Sequence, residues 1–385
     1  MTVAKSLYKK PQIAFRVDSS VEIGHGHVMR CLTLASALQP HYHIVFICAD
    51  LHGHAGERIL AQGFELVLLD RSDSPSCEYS ALAHAAWLHT SPLHDAQQTV
   101  TALQQQHITG LAWLVVDHYA LDQTWQTHLR QATQLRYILV IDDLADRCHD
   151  CDLLLDQNMG RKPQDYSPYI KPNTRLLLGL GYALLRADFY RWRSFSLQRR
   201  DSLTQPKNLL VSLGGVDAAN VTTKVLQQLA MQPKIIDWHI QVIMGKTAPH
   251  IAEVNAQVKR LQEQGVATQC LINPSSMAEC MSYADYAICA AGSTTWERFC
   301  LGVPALTLIV ADNQCRVGRR LKAIGDVLTP NELTTHFERI WQGVTLSRLQ
   351  QESQEIRQGV DGTGVTKVVN AMRAFQREGE VLSHQ

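Results

Sequence analysis

The stretch I-A-F-R-V-D-S-S-V-E-I-G-H-G-H-V-M-R-C-L-T-L-A-S-A-L-Q-P, Ile13 to Pro40, decides the fold class. Ile13–Val17 is a short apolar, β-prone run. His27–Leu38 repeats its apolar residues at helical spacing and stops before Pro40, which cannot continue a helix. Gly24 and Gly26 lie between the two and let the backbone turn tightly. A strand that feeds a helix through a glycine loop is half of a βαβ unit. Outward from it the alternation continues. Strands are expected at His43–Cys48, Glu65–Leu69, Trp113–Val116, Tyr137–Asp142 and Asp152–Leu155, with helices at Ala55–Gln62, Leu93–Gln106 and Gln123–Ala132. Continuous apolar strands alternating with amphipathic helices imply a doubly wound parallel sheet.

The alternation falters between Arg186 and Lys207, a charged, serine-bearing stretch ending near Pro206, and restarts at Asn208–Leu213. The expected organisation is α/β, with two doubly wound Rossmann-like domains facing across a cleft. The expected bounds are 1–190, a linker at 191–207, a second domain at 208–364, and a C-terminal helix and tail at 365–385. The final helix, Val365–Gln376, is expected to pack back across the domains. The second domain repeats the pattern through Val221–Met231, His239–Met244, Ile251–Gln264, Thr268–Ile272, Ser275–Met281, Tyr286–Ala290, Thr295–Leu301, Ala305–Val310 and Asn313–Ile324. Ligands of open α/β sheets bind beyond the carboxyl ends of the strands.

Composition removes several function classes. The 385 residues carry 36 Lys+Arg against 36 Asp+Glu, so no global field favours nucleic acid or an anionic membrane. No run approaches the roughly 20 apolar residues of a membrane span. Met1–Pro11 lacks the apolar core of a signal peptide. Ten cysteines, mostly inside apolar runs, fit free thiols in a reducing cytoplasm. Cys148 and Cys151 have metal-ligand spacing without a second pair, so no metal and no cofactor are expected.

Three loops carry candidate chemistry. His27 stands at the amino end of the first long helix, where imidazole suits a general base and the helix dipole favours its neutral form. His25, in mid-loop, is the weaker candidate. S-L-G-G-V-D-A-A-N, Ser212 to Asn220, follows the first strand of the second domain. Its Gly214 and Gly215 allow close backbone approach, and the helix after it is expected to offer free N–H groups to a phosphate. A-A-G-S-T-T-W-E, Ala290 to Glu297, places Gly292, Ser293 and Thr294 at a polar turn and Glu297 one helical turn on. That carboxylate can take both hydroxyls of a ribose; Thr294 with Glu297 equally fits a capping box. Asp117-His118-Tyr119, Asp142-Asp143 and Asn313 follow strand ends, and each alone also fits a loop-capping role.

Taken in order, these pieces resemble a known family. F-R-V-D-S-S-V-E-I-G-H-G-H-V-M-R, V-D-H-Y, I-D-D, C-D-L-L-L-D-Q-N, G-Y-A-L-L-R-A-D-F-Y, S-L-G-G-V-D-A-A-N and A-G-S-T-T-W-E run from Phe15 to about Asn313. The sequence resembles the UDP-2,4-diacetamido-2,4,6-trideoxy-β-L-altropyranose hydrolases of pseudaminic acid biosynthesis. The resemblance implies a glycosyltransferase-B-like fold related to the lipid II N-acetylglucosaminyltransferase. It assigns the catalytic roles to His27, Tyr119 and Asn313. It assigns UDP or substrate binding to Asn220 and Glu297, to which the reading of the turns adds Gly26, Gly214, Gly215, Gly292, Ser293 and Thr294. The expected reaction is metal-independent, inverting hydrolysis of the sugar–UDP bond by water attack at the anomeric carbon. The expected partner is the UDP-sugar alone, with no nucleic acid or membrane, and the expected form is a monomer. A glycosyltransferase of the same fold, a UDP-sugar epimerase and a non-catalytic nucleotide-sugar sensor remain as alternatives. The region after Gly325 receives no function.

Overall fold

A computed structural model describes residues 10–71, 82–108 and 110–382. The chain divides into two compact units, Met1–Leu184 with Val365–Gln385, and Leu185–Gly364.

The first unit runs β1 (Gln12–Val17), α1 (Gly26–Leu38), β2 (His43–Ala49), α2 (Gly56–Ala61), β3 (Glu65–Leu69), α3 (Pro92–Gln105), β4 (Gly110–Asp117), α4 (Gln123–Ala132), β5 (Gln134–Ile141), β6 (Leu153–Asp156), α5 (Pro163–Tyr166) and β7 (Arg175–Leu178). Its seven strands are ordered β3-β2-β1-β4-β5-β6-β7, every pair parallel. The second unit runs α6 (Ala187–Asp201), β8 (Asn208–Ser212), α7 (Val221–Ala230), β9 (His239–Met244), α8 (Ile251–Glu263), β10 (Ala267–Ile272), α9 (Met277–Tyr283), β11 (Tyr286–Ala290), α10 (Thr294–Cys300), β12 (Ala305–Leu308), α11 (Cys315–Leu321), β13 (Val327–Leu328), α12 (Leu333–Gln342) and α13 (Leu346–Ile356). Its six strands are ordered β10-β9-β8-β11-β12-β13, again all parallel. Both sheets are doubly wound, as the alternation predicts.

In each sheet the winding reverses between neighbouring strands, β1 and β4 in the first, β8 and β11 in the second. Consecutive crossovers leave in opposite directions there and open a crevice at the strands' carboxyl ends. The glycine loop of His27 follows β1, and Asp117 to Tyr119 follow β4. The Gly214-Gly215 turn follows β8, and Gly292 to Thr294 follow β11. The three loops that carry candidate chemistry thus land at points of winding reversal, as does Asp117-His118-Tyr119, whereas the motifs after β5, β6, β7 and β12 do not.

The stretch 191–207, expected as a linker, is mostly the helix α6. Its polar side chains cap a neighbour and do not solvate a tether. Ser196 Oγ and Arg200 Nε donate to the Leu301 carbonyl at 2.8 and 3.0 Å, and Arg193 donates to the carbonyls of Cys300 and Arg357. The carbonyls of Cys300 and Leu301 lie at the end of α10, where a helix leaves them unpartnered and a cation is favoured. Charge richness was therefore misleading as a boundary signal.

The last helix, α14 (Gly364–Leu382), belongs to the first unit's core. Val368, Val369 and Met372 are buried there, and Phe375 packs on Trp113 and Tyr137 at ring-centroid distances of 6.2 and 5.4 Å. Each such side chain contributes roughly 1.5–3 kcal/mol by leaving water. Helices α12 and α13, unassigned from sequence, supply Leu333, Phe337, Ile340, Trp341 and Leu349 to the second core. Among the described residues no helix is long and apolar enough to cross a membrane.

Candidate functional site

The first unit gathers a charged network at its β1–β4 reversal. The loop after β1 is folded by Ser20, whose Oγ accepts from Glu22 and Ile23 N–H at 3.1 and 3.0 Å, and by Gly24 at φ +76°. Helix α1 then starts at Gly26, with His25 at its N-cap and His27 in its first turn. His25 Nε2 contacts the Gly53 carbonyl at 3.1 Å, a tether between loops.

His27 Nδ1 lies 2.6 Å from Asp117 Oδ1. Arg30, one turn along α1, donates Nε to Asp117 Oδ2 at 2.6 Å and Nη2 to Asp117 Oδ1 at 2.7 Å. Burial would raise the Asp117 carboxyl, but Arg30 and His27 outweigh it and hold the group well below the usual carboxylate range. An ionised carboxylate has no proton to give, so the proton of the 2.6 Å contact sits on Nδ1. The Nε2 lone pair is thereby left free to accept one. Arg30 Nη2, which carries two hydrogens, also lies 3.2 Å from Nδ1, a longer contact than the 2.6 Å one to the ionised Asp117.

Arg30 Nη1 reaches across to Asp143 Oδ2 at 2.7 Å, and the Tyr119 hydroxyl donates to the same oxygen at 2.7 Å. Asn158 Nδ2 donates to Asp143 Oδ1 and Asp156 Oδ1, both at 2.8 Å. Arg30 thus bridges the two carboxylates Asp117 and Asp143 beside His27. Burial and then Asp143 push the Tyr119 phenol well above its ordinary range, so it stays neutral. Its ring meets His27 edge-on at 4.7 Å.

Behind the network, Arg16 is fully buried and pairs with Asp18 and Asp95. Asp18 also accepts the Ala49 N–H at 2.7 Å, which ties the ends of β1 and β2 together. His118 accepts the Ala120 N–H at Nδ1 and turns Nε2 towards Asp18 at 3.3 Å. It faces inward and props the loop.

The second unit is more open. Gly214 stands at φ +105°, and Gly214 and Gly215 are both exposed with open space above the backbone. A Cβ at Gly245 would lie 1.9 Å from the Gly215 carbonyl oxygen, so only glycine permits that approach. The expectation of free N–H groups on the following helix needs correcting. Asp217 accepts from Val221 and Thr222 N–H, both at 2.9 Å, and takes the first donors of α7 for itself. Asn220 sits in left-handed geometry at φ +52° as N-cap, without a side-chain cap bond.

Glu297 is not a helix cap. Helix α10 has Ser293 at its N-cap and Thr294 as its first helical residue, so the spacing of a capping box is lost by one position. Its carboxylate instead lies 3.6 Å from Arg186 Nη2. Burial pushes the Glu297 carboxyl up to about 7, with Arg186 only partly opposing. Gly292 to Thr294 form the turn just before it. Asn313 lies in the turn Asp312–Gln314, and its side chain is outside the described residues. Cys151 is buried while Cys148 is exposed, and between them His149 is held by Gln126 at 3.1 Å. Among the described residues no group of three or more His, Cys, Asp or Glu could hold a metal ion.

The structure thus brings His27 and Tyr119 together, with Gly26 at the start of the same helix. Within the second unit it sets Gly214, Gly215 and Asn220 on one turn and Gly292, Ser293, Thr294 and Glu297 on another. Sequence reasoning missed the roles of Arg30, Asn158 and Arg186. Arg30 was legible in principle, because residues three apart on a helix share a face. Asn158 and Arg186 lie inside D-Q-N and L-L-R-A-D, stretches quoted above without a role.

No protein-family model matches the chain. It is 23% identical over 299 residues to an uncharacterized protein of Methanocaldococcus jannaschii, covering 77% of this chain and 55% of that protein. It is 28% identical over 208 residues to a spore coat polysaccharide biosynthesis protein of Bacillus subtilis, covering 52% and 58%. The chain thus spans under two thirds of the length of these two relatives. It is 21% identical over 303 residues to the UDP-2,4-diacetamido-2,4,6-trideoxy-β-L-altropyranose hydrolase of Campylobacter jejuni, covering 79% and 93%. Among solved structures, MurG of Acinetobacter baumannii matches with a TM-score of 0.67 at 14% identity, over 94% of this chain and 100% of that one. TcCGT1 in complex with UDP matches with a TM-score of 0.59 at 11% identity, over 96% and 100%. The fold is glycosyltransferase-B-like, and the family resemblance carried by the motifs extends to a named homologue.

Proposed function

We propose that the protein hydrolyses a UDP-linked 2,4-diacetamido-2,4,6-trideoxyhexose to free sugar and UDP, by attack of water on the anomeric carbon with inversion. The observation that supports this most is the His27–Asp117 contact of 2.6 Å. It fixes the tautomer that leaves Nε2 basic, at the winding reversal where α/β sheets bind ligands. His27 takes a proton from water as the C1–O bond to the diphosphate breaks. Asp117 stabilises the imidazolium that results, and Arg30 holds Asp117 and Asp143 in place. Diphosphate leaves as a stable anion, so no acid partner is needed and the paired carboxylates of ordinary glycosidases have no counterpart here.

UDP is held by the second unit, with Glu297 accepting from the ribose hydroxyls and the turns at Gly214–Gly215 and Gly292–Thr294 meeting the diphosphate. Asn220 belongs to the first of these turns. Tyr119 and Asn313 orient sugar and water. The route uses no metal: Asp117 and Asp143 already spend their oxygens on His27, Arg30, Tyr119 and Asn158.

The test is incubation with a panel of UDP-sugars in ¹⁸O-water. The expected result is free UDP without label and a sugar labelled at C1, first seen as the inverted anomer. Label in the UDP phosphate would move the attack to phosphorus and overturn the proposal. Transfer to an acceptor hydroxyl is the second reading. Its support is the fold, which is shared with solved glycosyltransferases. UDP release that waits for an added acceptor would select it.

A further inference from the structure

We infer that the second unit carries a further ligand site, a cavity beside Arg200 at the opposite end of its sheet from the glycine turns, which takes a small organic monocarboxylate. The inference is independent of the hydrolase reading, because none of the cavity's wall residues has a part in that reading.

The cavity measures about 400 Å³, and its wall includes Arg200 of α6 and Leu349, Ser353 and Gln354 of α13. Asp285 and Pro304 also line it, and they immediately precede β11 and β12, so it sits at the amino ends of those strands. The turns after β8 and β11 lie at the other end. The five residues of β11 alone separate the two by about 15 Å, at roughly 3.3 Å per residue.

Arg200 is only 3% exposed, and among the described residues no carboxylate pairs with it. Its Nε and Nη2 donate to the carbonyls of Leu301 and Met281 at 3.0 and 3.2 Å, and Nη1 has no acceptor among the described residues. Asp285, whose charge acts on Arg200, is spent elsewhere. It accepts from Arg199, from the Lys207 and Asn208 N–H groups at 2.8 Å each, and from Asn208 Nδ2 at 3.2 Å. Asp201, on the same wall, is held by Arg357 at 2.8 Å. Burial lowers the Arg200 pKa, Arg199 lowers it further, and Asp285 offsets only part. Ser353, also 3% exposed, adds an Oγ without a partner among the described residues. A charge taken out of water is ordinarily paired, because an unpaired one loses its hydration without return. An anion in this cavity would stand as the countercharge of Arg200.

The same wall selects the anion. Asp201 and Asp285 both belong to it, so a dianion is repelled more than a single carboxylate. Leu203, Pro304 and Leu349 offer the ligand's body an apolar contact. The volume is at the small end for ligand pockets and suits an acid of about the size of a substituted ring.

Benzoate is the probe, with benzamide as its uncharged shape-match and sulfate as the dianion, each titrated into the full-length protein by ligand-observed NMR. Benzoate should bind with a Kd of about 1 mM or below. Benzamide and sulfate should bind at least about tenfold more weakly, the step that one charge-assisted contact is worth. Arg200→Met removes the charge and should make benzoate no tighter than benzamide. Arg200 also holds two backbone carbonyls, so this variant can fail to fold, and a second one leaves it in place. Gln354→Trp changes an exposed residue of the wall, fills the cavity and should weaken benzoate at least about tenfold. Circular dichroism and the melting temperature report that each variant folds. Benzoate affinity unchanged in folded Gln354→Trp overturns the site, as does equal binding of benzoate and benzamide. Sulfate binding as tight as benzoate, or no benzoate binding at about 10 mM, overturns it as well.

Discussion

The two winding reversals of this chain are built on opposite plans. Around β1 and β4, Asp117 and Asp143 are closed into bonds of 2.6 to 2.8 Å with Arg30, His27, Tyr119 and Asn158. Around β8 and β11, the Gly214–Gly215 turn stands open, Gly292 is only partly exposed beside Gln314, and Glu297 has Arg186 at 3.6 Å. The first plan fixes charges before a substrate arrives, which is how preorganised sites lower a barrier. The second leaves backbone and a loosely held carboxylate to be completed by a ligand, which is how binding sites are made. Catalysis and nucleotide recognition should therefore separate cleanly by unit, and substitutions in one should spare the other.

The largest effect should come from the closed network. His27→Phe is expected to lower kcat by at least about 10²-fold, the low end for loss of a general base. UDP affinity measured by calorimetry should change by less than about twofold. Near-normal turnover in a folded variant would remove the base from the mechanism. Asp117→Asn belongs to the same test, because an amide can also donate to Nδ1 and would favour the wrong tautomer.

In the open site the signature reverses. Glu297→Ala should weaken UDP by about 10- to 150-fold, the value of roughly 1.5–3 kcal/mol for a charge-assisted hydrogen bond. Its kcat at saturation should move far less than that of His27→Phe. Unchanged UDP affinity would mean that Glu297 serves only its contact with Arg186 and that the nucleotide binds elsewhere.

This asymmetry also governs what the sequence could disclose. Strand and helix alternation is local, so both doubly wound sheets were legible, and the loops after β1, β8 and β11 were found because glycine marks a turn. The network was only half legible. Asp117 and Asp143 stood out at strand ends, but their meeting with His27 and Arg30 needs β1 and β4 to be neighbours, a fact of topology that no local pattern contains. The stretch of helix α6 reads as a linker because it is rich in charge and serine and runs up to Pro206, whereas Arg193 and Arg200 act on carbonyls more than 100 positions away.

A smaller effect lies in the pH dependence of UDP binding. Burial places the Glu297 carboxyl at about 7. Ribose hydroxyls donate to the ionised form, so affinity is full above that pH and is lost as pH falls through it. At pH 6 only about a tenth of the groups remain ionised, so Kd should rise about tenfold between pH 8 and pH 6. Glu297→Gln removes the titrating group and should flatten this part of the profile, leaving only the titration of the diphosphate itself. A wild-type profile identical to that of the Gln variant would contradict the assignment of Glu297 to the ribose.

The smallest effect sharpens the comparison within one loop. His25 and His27 flank Gly26, and the mid-loop position of His25 ranks it second only by its place in the sequence. Geometry does, because His27 turns inward to Asp117 while His25 reaches the Gly53 carbonyl at 3.1 Å, away from every group of the network. His25→Ala removes one partly exposed hydrogen bond, a cost of about 0.5–1.5 kcal/mol in stability. Helix α1 loses no cap by it, since the His25 side chain makes none. The expected outcome is a modest fall in melting temperature with kcat within about threefold of wild type, against the hundredfold loss for its neighbour. A loss in His25→Ala as large as that in His27→Phe, at unchanged stability, would mean that the loop presents both imidazoles to the substrate and that the proton is relayed between them.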